Sequence, residues 1–196
     1  MGGFMTKDGV VTTGLSCLGW RDRRRHDKET DAIEFSFYKT TCGDANLHNK
    51  RLWSLQRDTD AYAQTIVGPN VRSAVEIIQE IDENTCLVRS VEQYPDSPAI
   101  VHMVQLLFRH FVGDACYIVR RSVPVPEVQA ALSDPNDIWA CNFYWTSHLV
   151  LDRNSSGVCT KYLCSNFGTL SCDAAAYAVL WLSEALFSVV RAENWI

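Results

Sequence analysis

Residues 171–195 constrain the fold most, because they have the pattern of one long helix after a region rich in strand signals. Ser171 is a candidate N-cap, Asp173 places a carboxylate in the first turn, and Arg191 lies in the last turn. Both charges complement a helix dipole, so the sequence predicts where the helix begins and where it ends. The apolar residues between these ends recur at helical spacing and predict a wide buried face: Ala175, Val179, Leu182, Leu186, Val189 and Val190.

The opposite side of this predicted helix mixes aromatic and charged side chains, which suits a boundary with water, a cavity or lipid headgroups. A membrane span is disfavoured, because the apolar run 174–190 is slightly short for a bilayer, contains Glu184 and lacks a flanking basic cluster. The residues on this side are Asp173, Tyr177, Trp181, Glu184, Ser188, Arg191 and Trp195.

Strand signals joined by short turns dominate the rest of the chain. Residues 15–24 and 32–40 predict a first hairpin, and 46–66 predict a helix that stops at 68–70. Short turns require antiparallel pairing, so the sequence predicts an α+β helix-grip fold, a curved antiparallel sheet wrapped around the C-terminal helix. The three later hairpins are predicted from strands at 73–81 and 86–93, 100–111 and 115–123, and 139–151 and 158–167.

Length and charge favour one globular domain that does not bind nucleic acid. The chain has 196 residues, 47% of them hydrophobic, and a net charge of −5. The basic run 21–25 is followed by acidic residues, which favours a solvated strand end over a phosphate-binding patch. No repeat or linker divides the chain, and we predict a flexible N-terminus over 1–14 and a single domain over 15–196.

The eight cysteines predict reduced thiols and a cytoplasmic protein, because they are scattered through apolar strands and no hydrophobic leader follows Met1. No CxxC pair is present and the histidines show no ligand spacing, so buried thiols are favoured over a zinc site. The first six residues match the myristoylation pattern M-G-x-x-x-[ST]. A flexible glycine-rich start is the favoured interpretation, whereas acylation of Gly2 would make the protein peripheral to a membrane.

Several strand segments and the last hairpin with its helix carry a resemblance to a known family. The segments are VEIIQEIDENT at 75–85, FRHF at 108–111 and YIVRRSVP at 117–124. Over nearly the whole chain the sequence resembles the START-like branch of the Bet v 1 superfamily, whose members wrap an antiparallel sheet around a long C-terminal helix. Such sequences usually begin with an extra helix, and the residues before Leu15 are too few to supply one.

The resemblance implies a hydrophobic tunnel between the sheet and the C-terminal helix, holding a sterol, a phospholipid or another apolar molecule. Mostly apolar strand faces with one or two polar groups fit such a wall, and they fit an ordinary core as well. We expect the aromatic and charged side of the helix to line the tunnel mouth, with coverage by loops near 124–135 as the alternative. The implied ligand-binding residues are Met103, Gln105, Leu107, Arg109, Phe143, Trp145, Tyr177, Trp181, Leu182, Glu184 and Leu186.

We therefore predict a non-enzymatic module that binds, transfers or senses a lipid or another apolar molecule, with transient membrane contact. No motif for a nucleophile, a catalytic metal or a phosphate loop is present, and no cofactor is predicted. Two alternatives stay open. One is an enzyme of the same fold, resembling a cyclase or hydrolase, that acts on an apolar substrate; the other is a protein-interaction domain with a solid core.

Overall fold

The computed structural model describes residues 16–27, 32–95, 97–171 and 175–195, and for 26, 27, 32, 170, 171 and 175–184 it describes the backbone alone. The elements in chain order are β1 (Ser16–Cys17), β2 (Trp20–Asp27), β3 (Ala32–Cys42), α1 (Ala45–Arg57), α2 (Thr59–Tyr62), a π-helical segment (Ala63–Val67), β4 (Arg72–Asp82), β5 (Thr85–Gln93), β6 (Ile100–Val112), β7 (Ala115–Ser122), α3 (Pro126–Ala131), β8 (Asp137–Trp139), β9 (Cys141–Arg153), β10 (Cys159–Ser171) and α4 (Ala175–Trp195).

The described strands form one curved sheet in the order β1-β2-β3-β10-β9-β7-β6-β5-β4, with β8 beside β6. Neighbouring strands pair antiparallel except β8, which runs parallel to β6. The predicted hairpins are present as β2–β3, β4–β5, β6–β7 and β9–β10. The predicted helix-grip fold, with a sheet around a C-terminal helix and a helical insertion after the first hairpin, is confirmed.

Pairing between β3 and β10 joins an early strand to the last strand, and α4 follows over one face of the sheet, the inner face. The register runs from Ile33 opposite Leu170 to Cys42 opposite Lys161. A side chain at Gly168 would not fit here, because a Cβ atom would lie 2.4 Å from the Phe35 ring and 2.8 Å from Tyr144 Cβ. The glycine therefore allows two aromatic residues of the flanking strands to approach across β10.

The helical insertion has a break that the sequence pattern did not predict. Asp44 caps α1 by accepting a hydrogen bond from the Asn46 amide, and Asp58 both ends α1 and caps α2 by accepting from the Ala61 amide. The π-helical segment then stops at Gly68, whose φ of 108° disfavours other residues. The single predicted helix over 46–66 is therefore wrong in detail, because an N-capping aspartate interrupts it.

The C-terminal half of α4 packs against the sheet through its apolar face. Ala185, Leu186, Val189 and Val190 contact a core cluster that contains Phe35 and Phe37. Ser171, the predicted N-cap, pairs with Cys141 as the last residue of β10, and α4 is described from Ala175. The predicted first turn with Asp173 lies outside the described residues. Among the described residues, no helix is long and apolar enough to cross a membrane.

Candidate functional site

A pocket of about 110 Å³ lies between the inner face of the sheet and the C-terminal half of α4. The helices α1 and α2 and the π-helical segment close its side. Apolar walls with a small number of polar groups are the usual composition of a ligand site, since apolar surface supplies affinity and polar groups orient the ligand. The apolar wall includes Trp20, Phe35, Leu52, Ile66, Met103 and Val189. The polar wall includes Gln56, Glu92, Gln105, Asn142, Thr146 and Asn166.

Arg120 of β7 is buried beside the polar wall, with 1% of its surface exposed. Its guanidinium donates to Gln56 Oε1 at 2.7 Å, to the Gln56 carbonyl at 3.2 Å and to Gln105 Oε1 at 3.1 Å. It also lies 4.0 Å from the centre of the Tyr62 ring. Gln105 donates in turn to Asn142 Oδ1 at 2.6 Å. Because a buried cation requires hydrogen-bond acceptors, Arg120 fixes the two glutamines at the pocket wall.

One of the two acidic groups at the pocket is Glu92, which is 5% exposed and accepts a hydrogen bond from the Tyr94 hydroxyl at 3.0 Å. Burial raises the pKa of Glu92, and the bond from Tyr94 opposes this shift. Nearby, the hydroxyl oxygens of Tyr62 and Tyr144 lie 3.2 Å apart. Burial raises the pKa of Tyr62 well above its ordinary value, so its hydroxyl is neutral and available for hydrogen bonding.

A second group of polar side chains, from α1, β9 and β10, meets at another part of the wall. His48 and Cys164 line the pocket, and the ring centre of His148 lies 4.7 Å from that of His48. The Tyr162 hydroxyl lies 2.7 Å from His48 Nδ1. Burial, assisted by His48, lowers the pKa of His148 to about 3, and burial raises the pKa of Cys164 to about 12. This imidazole and this thiol are therefore uncharged at neutral pH.

Two side chains near the end of α4 fasten the helix to both sides of the pocket. Arg191 donates from Nε to the Thr65 carbonyl at 2.7 Å, and from Nη2 to the carbonyls of the next two residues of the π-helical segment at 2.9 and 3.4 Å. Glu193 accepts from Lys39 Nζ at 2.5 Å and from Trp20 Nε1 at 2.9 Å. We call Arg191 and Glu193 the α4 clamp.

The predicted ligand-binding residues of β6 divide into two groups. Met103 and Gln105 line the pocket. Leu107 is fully buried in a core cluster with Cys86, Val88 and Ile118 and is not among the pocket-lining residues. Arg109 lies beyond the pocket: its Nε donates to Asn84 Oδ1 at 2.9 Å and its guanidinium lies 5.2 Å from the Trp53 ring centre. Arg109 was predicted to lie on the tunnel wall, but its side chain contacts Asn84 and Trp53 and is not among the pocket-lining residues.

The structure places Phe143 and Trp145 away from the pocket. Asn142, Tyr144 and Thr146 line the pocket, so strand alternation directs Phe143 and Trp145 to the outer face of β9. Their rings pack on each other with centres 5.2 Å apart, and Trp145 also packs on Phe167 at 4.2 Å. The pocket-lining alternation of β9 is thus the one that the sequence analysis did not select.

On α4, Leu186 packs beside the pocket against the Phe35 cluster. The helix stripe predicted to form the tunnel mouth is described only in part. Ser188 lines the pocket, Arg191 belongs to the α4 clamp, and Trp195 is 46% exposed. The remaining predicted ligand-binding residues have side chains outside the described part of the chain: Tyr177, Trp181, Leu182 and Glu184.

Sequence analysis missed the polar residues that define this site. Gln56 lies within a helical pattern, and Arg120 lies in a strand beside a second arginine, so neither has a local signal that separates it from a surface residue. Their burial follows from the packing of α1 against β7 and could not be read from spacing. Asn142 and Tyr144 could have been found by testing both alternations of β9, since a polar-aromatic alternation suits a pocket wall.

Comparison with known proteins identifies the fold. No protein-family model matches the sequence, and no curated protein sequence matches it. Solved structures do: human StAR-related lipid transfer protein 5 aligns with a TM-score of 0.68 at 15% identity, over 97% of this chain and 87% of that one. A StAR-related lipid transfer protein from Xanthomonas axonopodis aligns with a TM-score of 0.67 at 14% identity, over 94% and 96% of the two chains. The chain therefore has a START-like helix-grip fold.

Proposed function

We propose that this protein binds a lipid or another hydrophobic small molecule in the pocket between the sheet and α4, without transforming it. The observation that carries the proposal is the pocket itself, where apolar walls surround a small set of polar groups held by Arg120. The similar structures support it, because the human and bacterial neighbours are named as lipid transfer proteins. At this level of identity they add support to the ligand class and do not identify a ligand.

The size of the pocket indicates how such a ligand would be admitted. Its described part encloses about 110 Å³, whereas sites for drug-sized ligands enclose about 300–1,000 Å³. We propose that a ligand as large as a sterol or phospholipid is admitted when α4 moves away from the sheet. We propose that this movement breaks the α4 clamp, since Arg191 and Glu193 hold the helix to opposite walls.

We also propose a transient contact between α4 and a membrane during transfer. Phe187 is 51% exposed and Trp195 is 46% exposed on this helix. Large exposed aromatic side chains are suited to the interface between lipid and water, where one part of the ring is apolar and the surroundings are wet. A helix that both covers the pocket and touches the membrane would release ligand directly into lipid.

Two variants of α4 test the ligand site, because they add the same side chain on different sides of the helix. Ser188→Phe fills the pocket, whereas Asn194→Phe adds a ring at an exposed position. We expect Ser188→Phe to abolish transfer of fluorescent cholesterol or fluorescent phosphatidylcholine between phosphatidylcholine vesicles, and Asn194→Phe to retain it. Native mass spectrometry of the protein from its own host, followed by extraction, should show a bound apolar molecule that Ser188→Phe lacks.

Circular dichroism establishes that both variants are folded before transfer is compared. Equal loss of transfer in both folded variants, or unchanged ligand retention in folded Ser188→Phe, would contradict binding in this pocket. Chemical change of the extracted molecule on incubation with the protein would instead favour an enzyme that acts on the same class of ligand.

A further inference from the structure

His48, His148 and Cys164 form a compact cluster of metal-ligating side chains that lipid binding does not require. One nitrogen of each ring and the Cys164 sulfur all lie within 4.8 Å of one another. The three residues come from α1, β9 and β10, and the last two are neighbours across the sheet, since Cys164 pairs with His148. Rigid secondary structure therefore holds all three ligating groups in one place.

Unpaired buried atoms provide a second observation. His148 is 1% exposed, and its Nε2 has no hydrogen-bond partner among the described residues. Its other ring nitrogen, Nδ1, lies 3.4 Å from Asn49 Nδ2. Asn49 is also 1% exposed, and its Oδ1 is likewise without a partner among the described residues. Buried polar atoms are nearly always paired, so the unpaired Nε2 of His148 within a cluster of metal-ligating groups calls for an occupant.

We propose that His48, His148 and Cys164 bind a transition metal ion of borderline softness, with Zn²⁺ as the ion that fits best. Two imidazoles and one thiolate are preferred zinc ligands, whereas Ca²⁺ and Mg²⁺ prefer oxygen. Zinc sites with three protein ligands leave a fourth position for water or another small ligand. His48 and Cys164 line the pocket, so the fourth position faces the space proposed for the apolar ligand.

The distances fit this assignment with small adjustments. Tetrahedral zinc with Zn–N of about 2.0 Å and Zn–S of about 2.3 Å places its ligand atoms about 3.3–3.6 Å apart. The separations of up to 4.8 Å therefore need to contract by about 1 Å, which rotation of the side chains about χ1 and χ2 can supply. Binding releases the Cys164 thiol proton to solvent and leaves both imidazoles neutral, so the bound site carries one net positive charge.

The neighbours of the histidines are placed as supports for metal ligands. Metal-binding histidines usually donate their second ring N–H to an oxygen, which fixes the tautomer. The Tyr162 hydroxyl, 2.7 Å from His48 Nδ1, can accept that bond. At His148, rotating the Asn49 amide by half a turn places Oδ1 where it accepts from Nδ1–H. With Nδ1 protonated in this way, the Nε2 lone pair of His148 is left for the metal.

Cobalt substitution tests the site with a spectroscopic readout that does not depend on lipid binding. The full chain is freed of metal with EDTA and titrated with Co²⁺, then with Zn²⁺. We expect one Co²⁺ per chain, a thiolate-to-cobalt charge-transfer band and the visible bands of tetrahedral cobalt, all displaced by Zn²⁺. At 100 times its Kd, Zn²⁺ should raise Tm by about 5–10 °C.

Three variants identify the ligands, and a fourth is the control. Cys164→Ser should abolish the charge-transfer band, and His48→Asn should weaken Co²⁺ binding by more than about 100-fold, since even supporting residues account for about 10–100-fold. Tyr162→Phe should weaken Co²⁺ binding by about 10–100-fold, because Tyr162 supports a ligand and is not one itself. Cys86→Ser changes a cysteine that is equally buried in a different core cluster and should leave both the band and the affinity unchanged.

Retention of the charge-transfer band in Cys164→Ser, its loss in Cys86→Ser, or no stoichiometric Co²⁺ binding by the parent protein would each overturn the proposal. If Cys164→Ser does not fold, His48→Asn decides the question alone, because His48 is only half-buried on α1; unchanged affinity in that variant also overturns the site. Lipid transfer measured in parallel is expected without added metal, so failure of one proposal leaves the other standing.

Discussion

The α4 clamp predicts that one substitution, Arg191→Met, changes both the stability of the protein and the rate at which ligand exchanges. The variant keeps an apolar stem of similar length but removes the hydrogen bonds to three consecutive carbonyls of the π-helical segment. Hydrogen bonds from a charged donor contribute about 1.5–3 kcal/mol each when buried. Arg191 is half-buried and its third bond is long, so we expect a total loss of about 2–4 kcal/mol.

This loss has two measurable consequences. For a chain of this length it lowers Tm by about 5–15 °C, as followed by circular dichroism. If ligand exchange requires α4 to leave the π-helical segment, the same bonds are absent in the open state and the opening barrier falls by a similar amount. Exchange of fluorescent lipid should then accelerate about 30- to 1,000-fold, since each 1.4 kcal/mol corresponds to a factor of ten.

Arg121→Met is the matched control, because it removes an exposed arginine from β7 and leaves α4 untouched. We expect it to change the free energy of unfolding by no more than about 0.5 kcal/mol, and to leave the rate of ligand exchange nearly unchanged. A large loss of stability in Arg191→Met with an unchanged exchange rate would refute the reasoning, since opening of α4 would then not limit exchange. An unchanged Tm would show that water replaces the three bonds without loss.

Two further predictions concern residues at the pocket. Burial raises the pKa of Glu92 above its ordinary value of 4.5, so between these two pKa values the folded state keeps a proton that the unfolded chain has lost. The stability that the protonated carboxyl contributes is fully present below pH 4.5 and is lost as the pH rises through the folded pKa. Glu92→Gln should therefore be more stable than the parent in urea unfolding at pH 7 and similar to it at pH 4, and equal effects at both values would contradict a buried, proton-retaining carboxyl. Gly168→Ala should lower Tm by about 2–12 °C through overpacking against Phe35 and Tyr144. Because Gly168 is not at a positive φ, backbone strain does not contribute, and an unchanged Tm would remove the packing explanation.

Strand pairing could be predicted from the sequence because the turns are local. The connection 82–85 and the turn at Gly113 and Asp114 each join two strands that are adjacent in the sheet. Loop length alone then requires antiparallel pairing, whatever the strands later contact. The long apolar helix at the end of the chain added the second layer. These are short-range signals, and they were sufficient for the fold.

The inward face of β9 was harder to predict, since both of its alternations carry large side chains. Phe143 and Trp145 are the more apolar choice, but they pack on the outer face with Phe167. Tyr144 and Asn142 line the pocket because their polar atoms find partners there, in Tyr62 and Gln105. Hydrophobicity alone therefore selects the wrong face when the outer face has its own aromatic cluster and the inner face contains a polar network.

The cluster of His48, His148 and Cys164 could not be predicted from the sequence for a different reason. The sequence places His48 far from the other two, so no metal-ligand spacing exists for a pattern to detect. Proximity arises only because α1 packs over β9 and β10. The residues that hold the histidines, Asn49 and Tyr162, are equally ordinary in sequence. Sites assembled across a sheet and a helix in this way require the tertiary structure.

The hydrogen bonds of the polar wall indicate what kind of ligand the pocket can select. Gln105 already donates to Asn142 and accepts from Arg120, Glu92 accepts from Tyr94, and Thr146 donates to Asn166. A ligand with a large polar headgroup would have to break several of these bonds and leave buried atoms unpaired, at about 1–3 kcal/mol for each atom. A ligand with one hydroxyl or carbonyl group could share a single acceptor or donor at much smaller cost. Selectivity in the proposed site should therefore come from the shape of the apolar body, with at most one polar group buried against this wall.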